Sequence, residues 1–70
     1  MRAYNFSAGP AILPEEVLQQ AQAEFVDYQN TGMSIMEMSH RGKEYSAVHD
    51  ETIANIKELL QIPECYSVLF

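Results

Sequence analysis

Seventy residues allow at most one small domain, and a chain of this size buries only about 60% of the surface its unfolded form exposes. Ten acidic side chains against four basic ones give a formal charge of −6, so there is no basic face for a phosphate backbone and nucleic acid is excluded as a partner. The single cysteine excludes an internal disulfide, no Cys/His cluster has zinc spacing, and no apolar run is long enough to span a bilayer.

The apolar fraction of 47% is ordinary for a globular core. Ordinary apolarity without disulfide or metal staples predicts a piece of a larger fold, or an obligate oligomer. The start, Met1-Arg2-Ala3-Tyr4-Asn5, lacks the apolar core of a signal peptide, so the expected compartment is soluble and reducing, the cytoplasm.

The opening stretch Tyr4-Asn5-Phe6-Ser7-Ala8-Gly9-Pro10-Ala11-Ile12 reads as an irregular loop. Pro10 pushes Gly9 out of the right-handed helical region, so the pair marks a turn. Tyr4 and Phe6 are large apolar groups that need a surface to dock on. Two readings stand side by side. One is a docked terminus. The other is a loop whose backbone N–H groups near Ala8 and Gly9 face a ligand, a close approach that glycine permits.

Pro14-Glu15-Glu16 predicts the start of the first helix, with proline at its first position and acids at the positive end of the dipole. Leu18, Ala21, Phe25 and Tyr28 form one apolar stripe at helical spacing. Gln19, Gln20 and Gln22 take the wet face. Asn30-Thr31-Gly32 ends the helix, with Gly32 suited to the left-handed cap position. Met33-Ser34-Ile35-Met36-Glu37-Met38 keeps neither alternation nor a helical stripe and reads as extended or irregular. Its methionines suit an uneven gap in a core or an interface.

The second helix follows. Tyr45, Val48, Thr52, Ile53, Ile56, Leu59 and Leu60 fall on one arc of a helical wheel. Asp50, Glu51, Ala54, Lys57 and Glu58 hold the other face. His49 lies within the apolar arc and reads as a packed, hydrogen-bonded histidine rather than a ligand. Pro63 stops the helix. Cys65, beside the acid Glu64, reads as a structural cysteine rather than a reactive thiolate. Tyr66-Ser67-Val68-Leu69-Phe70 is a β-type run. A lone strand cannot satisfy its backbone N–H and C=O groups, so the sheet is expected to continue in sequence outside these residues. Helix, turn, strand is the order in which an α/β sheet is entered.

Between the helices lies Ser39-His40-Arg41-Gly42-Lys43, a cationic point in an acidic chain. Such a point suggests a small anionic ligand. The Arg41 guanidinium is a planar fork that binds carboxylate or phosphate bidentately. His40 adds a donor. Gly42 lets backbone come close, and a helix starts just after it, which favours anions. The competing reading, that Arg41 pairs with one of the many surface acids, is equally compatible with composition. Neither Lys43 nor Lys57 has the apolar surroundings of a lysine that forms a Schiff base.

Two segments carry a resemblance. Asn5-Phe6-Ser7-Ala8-Gly9-Pro10-Ala11-Ile12-Leu13-Pro14 resembles the opening of the phosphoserine aminotransferase family, and Ser34-Ile35-Met36-Glu37-Met38-Ser39-His40-Arg41-Gly42-Lys43-Glu44 resembles its second marker segment. Their spacing and the closing Tyr66-Ser67-Val68-Leu69-Phe70 match too. The resemblance implies an α/β fold, the amino-terminal fragment of a fold-type-I, class V transferase dependent on pyridoxal phosphate. Its expected layout is an opening loop over 1–13, a helix over 14–30, an irregular segment and anion-binding turn over 31–43, a helix over 44–62, and the first strand of the large-domain sheet over 65–70.

The implied activity is reversible transamination, in which glutamate and 3-phosphohydroxypyruvate give O-phosphoserine and 2-oxoglutarate in serine biosynthesis. By the same resemblance Arg41 holds the dianionic end of either substrate and His40 assists. Ala8 lies where some members of the family have a serine, so only a backbone contact carries over. Pyridoxal 5'-phosphate would be bound beyond Phe70, leaving no catalytic, cofactor or metal residue within 1–70, and these residues alone are expected to be inactive. A homodimer is implied. The alternatives are a class V relative acting on another amino acid, and a non-catalytic helical interaction module.

Overall fold

A computed structural model describes all residues from Met1 to Phe70. The chain divides into two units, residues 1–34 and 35–70. Each carries one α-helix: α1 over Glu15–Ala23 in the first and α2 over Lys43–Leu59 in the second.

In the first unit the opening loop folds back on itself. Phe6 and Ala11 form an isolated antiparallel bridge, and the Ile12 amide donates to the Asn5 carbonyl at 2.8 Å. Asn5 Oδ1 accepts from both the amide and the hydroxyl of Ser7, at 3.1 and 2.7 Å. Gly9 takes a left-handed φ of +89° at the tip, which glycine adopts without a steric penalty. Tyr4 and Phe6 dock on nothing within the chain, and Phe6 is 83% exposed.

Helix α1 starts one residue later than the sequence suggests. Pro14 is its cap, with φ −55° and ψ 140°, and its carbonyl accepts the amides of Val17 and Leu18. The helix also ends well before residue 30, at Ala23. The reason is local competition for hydrogen bonds. Asp27 Oδ1 captures the Gly32 amide at 2.7 Å, and the Tyr28 amide goes to the Met33 carbonyl at 2.8 Å instead of continuing the helical ladder. A short 3-10 turn, Tyr28–Asn30, sits in this closed loop with Gln29 and Asn30 at positive φ. Gly32 does take a left-handed φ of +76°, but it closes this loop rather than capping α1.

Of the two readings of the methionine segment, extended or irregular, the irregular one describes it: the second unit opens on a short 3-10 turn over Ile35–Glu37. Helix α2 then runs for 17 residues and stops before Pro63. The Ile62 amide donates to the Lys57 carbonyl at 2.9 Å and the Gln61 amide to the Glu58 carbonyl at 3.3 Å, with Gln61 at φ 52°. This paired pattern is the Schellman end of a helix, and it satisfies carbonyls that the missing next turn would otherwise orphan.

Residues 65–70 form no strand. A ladder needs a partner, and the chain holds none for this segment. Cys65 is exposed rather than packed.

No apolar side chain is fully buried; the sole buried residue is Ser34. On α2, Tyr45, Val48, Ile53 and Ile56 are half-buried, whereas Leu59 is 80% exposed. The accessible surface is 6406 Å², against about 4,500 Å² for a self-contained protein of this mass. The stripe anticipated on the first helix is cut short, since α1 ends before Phe25 and Tyr28. The arc on α2 is half-buried at Tyr45, Val48, Ile53 and Ile56 but has little to pack against at Leu59 and Leu60.

Candidate anion-binding turn

Ser39 is the anchor of the turn that carries Arg41. Its carbonyl accepts the Gly42 amide at 2.9 Å, closing a four-residue turn, and its hydroxyl oxygen accepts the Arg41 amide at 3.1 Å. Serine at the first position of such a turn and glycine at the fourth is the sequence preference of the commonest turn type. Gly42 then caps α2 in extended geometry, φ −76° and ψ 154°, and its carbonyl accepts the Ser46 amide at 3.0 Å. A Cβ on Gly42 would lie 3.2 Å from the Ser39 carbonyl oxygen. The glycine is therefore a matter of close approach, not of unusual φ.

His40 and Arg41 stand side by side on this turn, both exposed. The Arg41 backbone is tied to Ser39, while its guanidinium makes no hydrogen bond or ion pair within the chain. Of the two readings open from composition, pairing with a surface acid is not realised. No side chain caps α2, so its first-turn amides add their partial positive charge beside the same turn.

His40 also lines a cavity of about 250 Å³ together with Tyr45, Ser46, His49 and Asp50. A neighbouring cavity of about 240 Å³ is lined by Tyr45, Val48, His49, Thr52 and Phe70. Tyr45 and His49 line both, and His49 packs as expected. Its ring stacks on Tyr45 with centroids 6.1 Å apart and meets the edge of Phe70 at 5.3 Å. No hydrogen bond to its ring accompanies these contacts.

Ala8, the remaining residue singled out by resemblance, lies exposed in the folded-back opening loop of the other unit. Its side chain is a methyl group with no polar contact to offer. Ser39 was visible in the sequence only as a neighbour of His40, and its part in holding the turn was missed. The signal was the Ser-x-x-Gly spacing.

A carbonyl cofactor held as a Schiff base needs a lysine facing a pocket. Lys43 is exposed at the first position of α2, Lys57 is in its last turn, and neither lines the two cavities beside His49. The residues present do not form that site. No group of His, Cys, Asp and Glu side chains is arranged to hold a metal ion, and no helix is long and apolar enough to cross a membrane.

The profile of the family described as aminotransferase class-V matches residues 3–70. Among curated relatives, the phosphoserine aminotransferase of Niallia circulans is 70% identical over 99% of this chain, and that of Paraburkholderia phytofirmans is 54% identical over all of it. In both cases the chain spans 19% of the relative's length. Among solved structures, phosphoserine aminotransferase from Bacillus circulans subsp. alkalophilus superposes with a TM-score of 0.86 at 69% identity, over 97% of this chain and 19% of that one. The enzyme from Trichomonas vaginalis, solved with pyridoxal phosphate bound, superposes with a TM-score of 0.80 at 51% identity, over 90% of this chain and 18% of that one. Taken with the profile match over nearly every residue, these likenesses mean that the chain belongs to the class-V aminotransferase family.

Proposed function

We propose that this chain is the amino-terminal segment of a phosphoserine aminotransferase subunit, which converts glutamate and 3-phosphohydroxypyruvate to O-phosphoserine and 2-oxoglutarate in serine biosynthesis. The observation that carries the reading is the unpaired Arg41 guanidinium, presented with His40 on a turn that opens directly into α2. A charged fork without an internal partner is a waiting site for a carboxylate or a phosphate. Both substrate pairs carry an anionic tail, a carboxylate in one and a phosphate in the other, and a guanidinium fork binds either, so one clamp serves both halves of the exchange. The names carried by relatives at 54–70% identity support this substrate class over other class V acceptors.

Within this reading, Arg41 binds the tail bidentately and fixes its distance from the reacting carbon. His40 donates a further hydrogen bond to the same anion. The Ala8 backbone contributes at most one amide. Pyridoxal 5'-phosphate supplies the electron sink and amino carrier, and it is held by residues outside this chain, a reading supported by the absence of Lys43 and Lys57 from the two cavities beside His49.

The enzyme works in the cytoplasm as a homodimer. The excess of accessible surface over that of a self-contained domain, with large apolar side chains such as Phe6, Leu59 and Leu69 exposed, supports coverage by the rest of the subunit and its partner. The segment over 65–70 then gains its ladder from the large-domain sheet. A free-standing interaction module is disfavoured, because neither unit buries an apolar core of its own.

The test is an acceptor comparison with the full-length protein. Turnover with 3-phosphohydroxypyruvate should exceed turnover with pyruvate or glyoxylate by orders of magnitude. Equal or greater activity with pyruvate or glyoxylate would point to the class V relative with another substrate.

A further inference from the structure

We propose that Ser39 is a positioning residue for the anion clamp, acting through the backbone of Arg41. The inference rests on the assignment of Arg41 to the substrate tail and goes one step further, to what aims it.

Three observations converge on Ser39. Its hydroxyl oxygen accepts the Arg41 amide at 3.1 Å. Its carbonyl accepts the Gly42 amide at 2.9 Å. The same carbonyl oxygen sits 3.2 Å from where a Cβ on Gly42 would be. One residue thus holds the two that follow His40, and the backbone passes so close that glycine alone fits without a shift.

Arg41 has no side-chain partner to orient it. The guanidinium is the far end of a long, flexible stem, and ordering such a stem costs about 2 kcal/mol of rotamer entropy. What limits its search is the direction in which the Cα–Cβ bond leaves the turn. That direction is set by the peptide that Ser39 holds. The hydroxyl accepts from Arg41 and keeps its own proton, so Ser39 does its work without being protonated, deprotonated or consumed.

A serine fits this task for a physical reason. Its oxygen lies one bond from Cβ, short enough to reach an amide two residues on, as in the local turns serine and threonine form with their own backbone. Alanine leaves the Arg41 amide to water and lets the turn open. Threonine keeps the hydroxyl.

The experiment is a double-mutant cycle in the full-length protein, read by calorimetric titration with O-phosphoserine. Ser39→Ala should weaken binding by about two- to tenfold, the scale of one lost neutral hydrogen bond, with an unchanged thermal midpoint. Ser39→Thr should restore affinity to within about twofold of the parent. In the Arg41→Ala background, Ser39→Ala should have no further effect, because a residue that works through another is silent once that other is gone.

Full affinity in Ser39→Ala overturns the inference, as does an undiminished effect of Ser39→Ala in the Arg41→Ala background. The two levels separate cleanly. Weak binding by Arg41→Ala with normal binding by Ser39→Ala leaves the clamp standing and removes only Ser39. Normal binding by Arg41→Ala removes the clamp itself.

Discussion

The carbonyl oxygen of Ser39 and the α-carbon of Gly42 approach so closely that a methyl group on residue 42 would meet that oxygen at 3.2 Å. Because the obstructing atom is backbone, relief requires the turn itself to move. Gly42→Ala also replaces a tolerated helix cap by a poor one, at a cost of about 0.5–1 kcal/mol. Against this, alanine lowers the entropy of the unfolded chain, a gain of about 0.4–1 kcal/mol. The two stability effects nearly cancel, whereas the displacement of the turn does not. Gly42→Ala in the full-length protein should therefore leave the melting temperature almost unchanged and raise the Michaelis constant for phosphoserine several-fold. Melting curves and steady-state kinetics on the same preparation check both halves.

The end of α2 offers an independent test of the backbone geometry. Gln61 holds a left-handed φ of 52° at the position where helices favour glycine. An L-residue there costs roughly 1–2 kcal/mol, while glycine brings back an unfolded-state penalty of about 0.4–1 kcal/mol. The balance favours glycine by about 0.5 kcal/mol. Gln61→Gly should raise the melting temperature slightly, and Gln61→Val should lower it by more. Activity should not change in either variant, since the helix end lies away from the Ser39–Gly42 turn.

His49 is held between Tyr45 and Phe70 at ring distances of 6.1 and 5.3 Å. Contacts of this kind contribute about 0.5–1.5 kcal/mol each beyond the area they bury. His49→Ala should destabilise the full-length protein by about 1–3 kcal/mol, and His49→Phe should recover most of the loss. Neither should alter the affinity for dianionic substrates by more than about twofold, given that ring packing rather than ligation is its role. Urea denaturation curves with parallel binding titrations separate the two effects.

The segment by itself should not fold. It buries no apolar side chain, and α1, with 9 residues, is shorter than the length at which an isolated helix becomes even marginal in water. A peptide of Met1–Phe70 should show weak helicity by far-UV circular dichroism and a melt without a cooperative step. A sharp sigmoidal transition would mean that these residues carry a core of their own.

What could be read from the sequence follows from how local each feature is. Glu15-Glu16 after Pro14, and the arc from Tyr45 to Ile56, report helices because capping and periodicity are short-range. Arg41 stood out as a fixed positive charge beside glycine at a helix start in an acidic chain, but composition fitted pairing with a surface acid equally well, because side-chain partners are not encoded locally. The end of α1 was hidden, because it depends on the Asp27 carboxylate reaching the Gly32 amide, a bond that competes with a continuing helical stripe through Phe25 and Tyr28. The end of α2 was hidden for a related reason: Gln61 takes the left-handed conformation without being glycine, so Pro63 looked like the stop. Residues 65–70 carry a β-type pattern with no partner in the chain, and pattern alone cannot say where a partner strand comes from.

The central claim is that Arg41 clamps an anionic substrate tail, and its most direct test is the affinity of Arg41 variants for O-phosphoserine in the full-length protein. Losing hydrogen bonds to a charged group costs about 1.5–3 kcal/mol, so Arg41→Ala should bind about ten- to a hundredfold more weakly. Arg41→Lys should fall between, keeping the charge but not the fork. Parent-like affinity in Arg41→Ala would contradict the account.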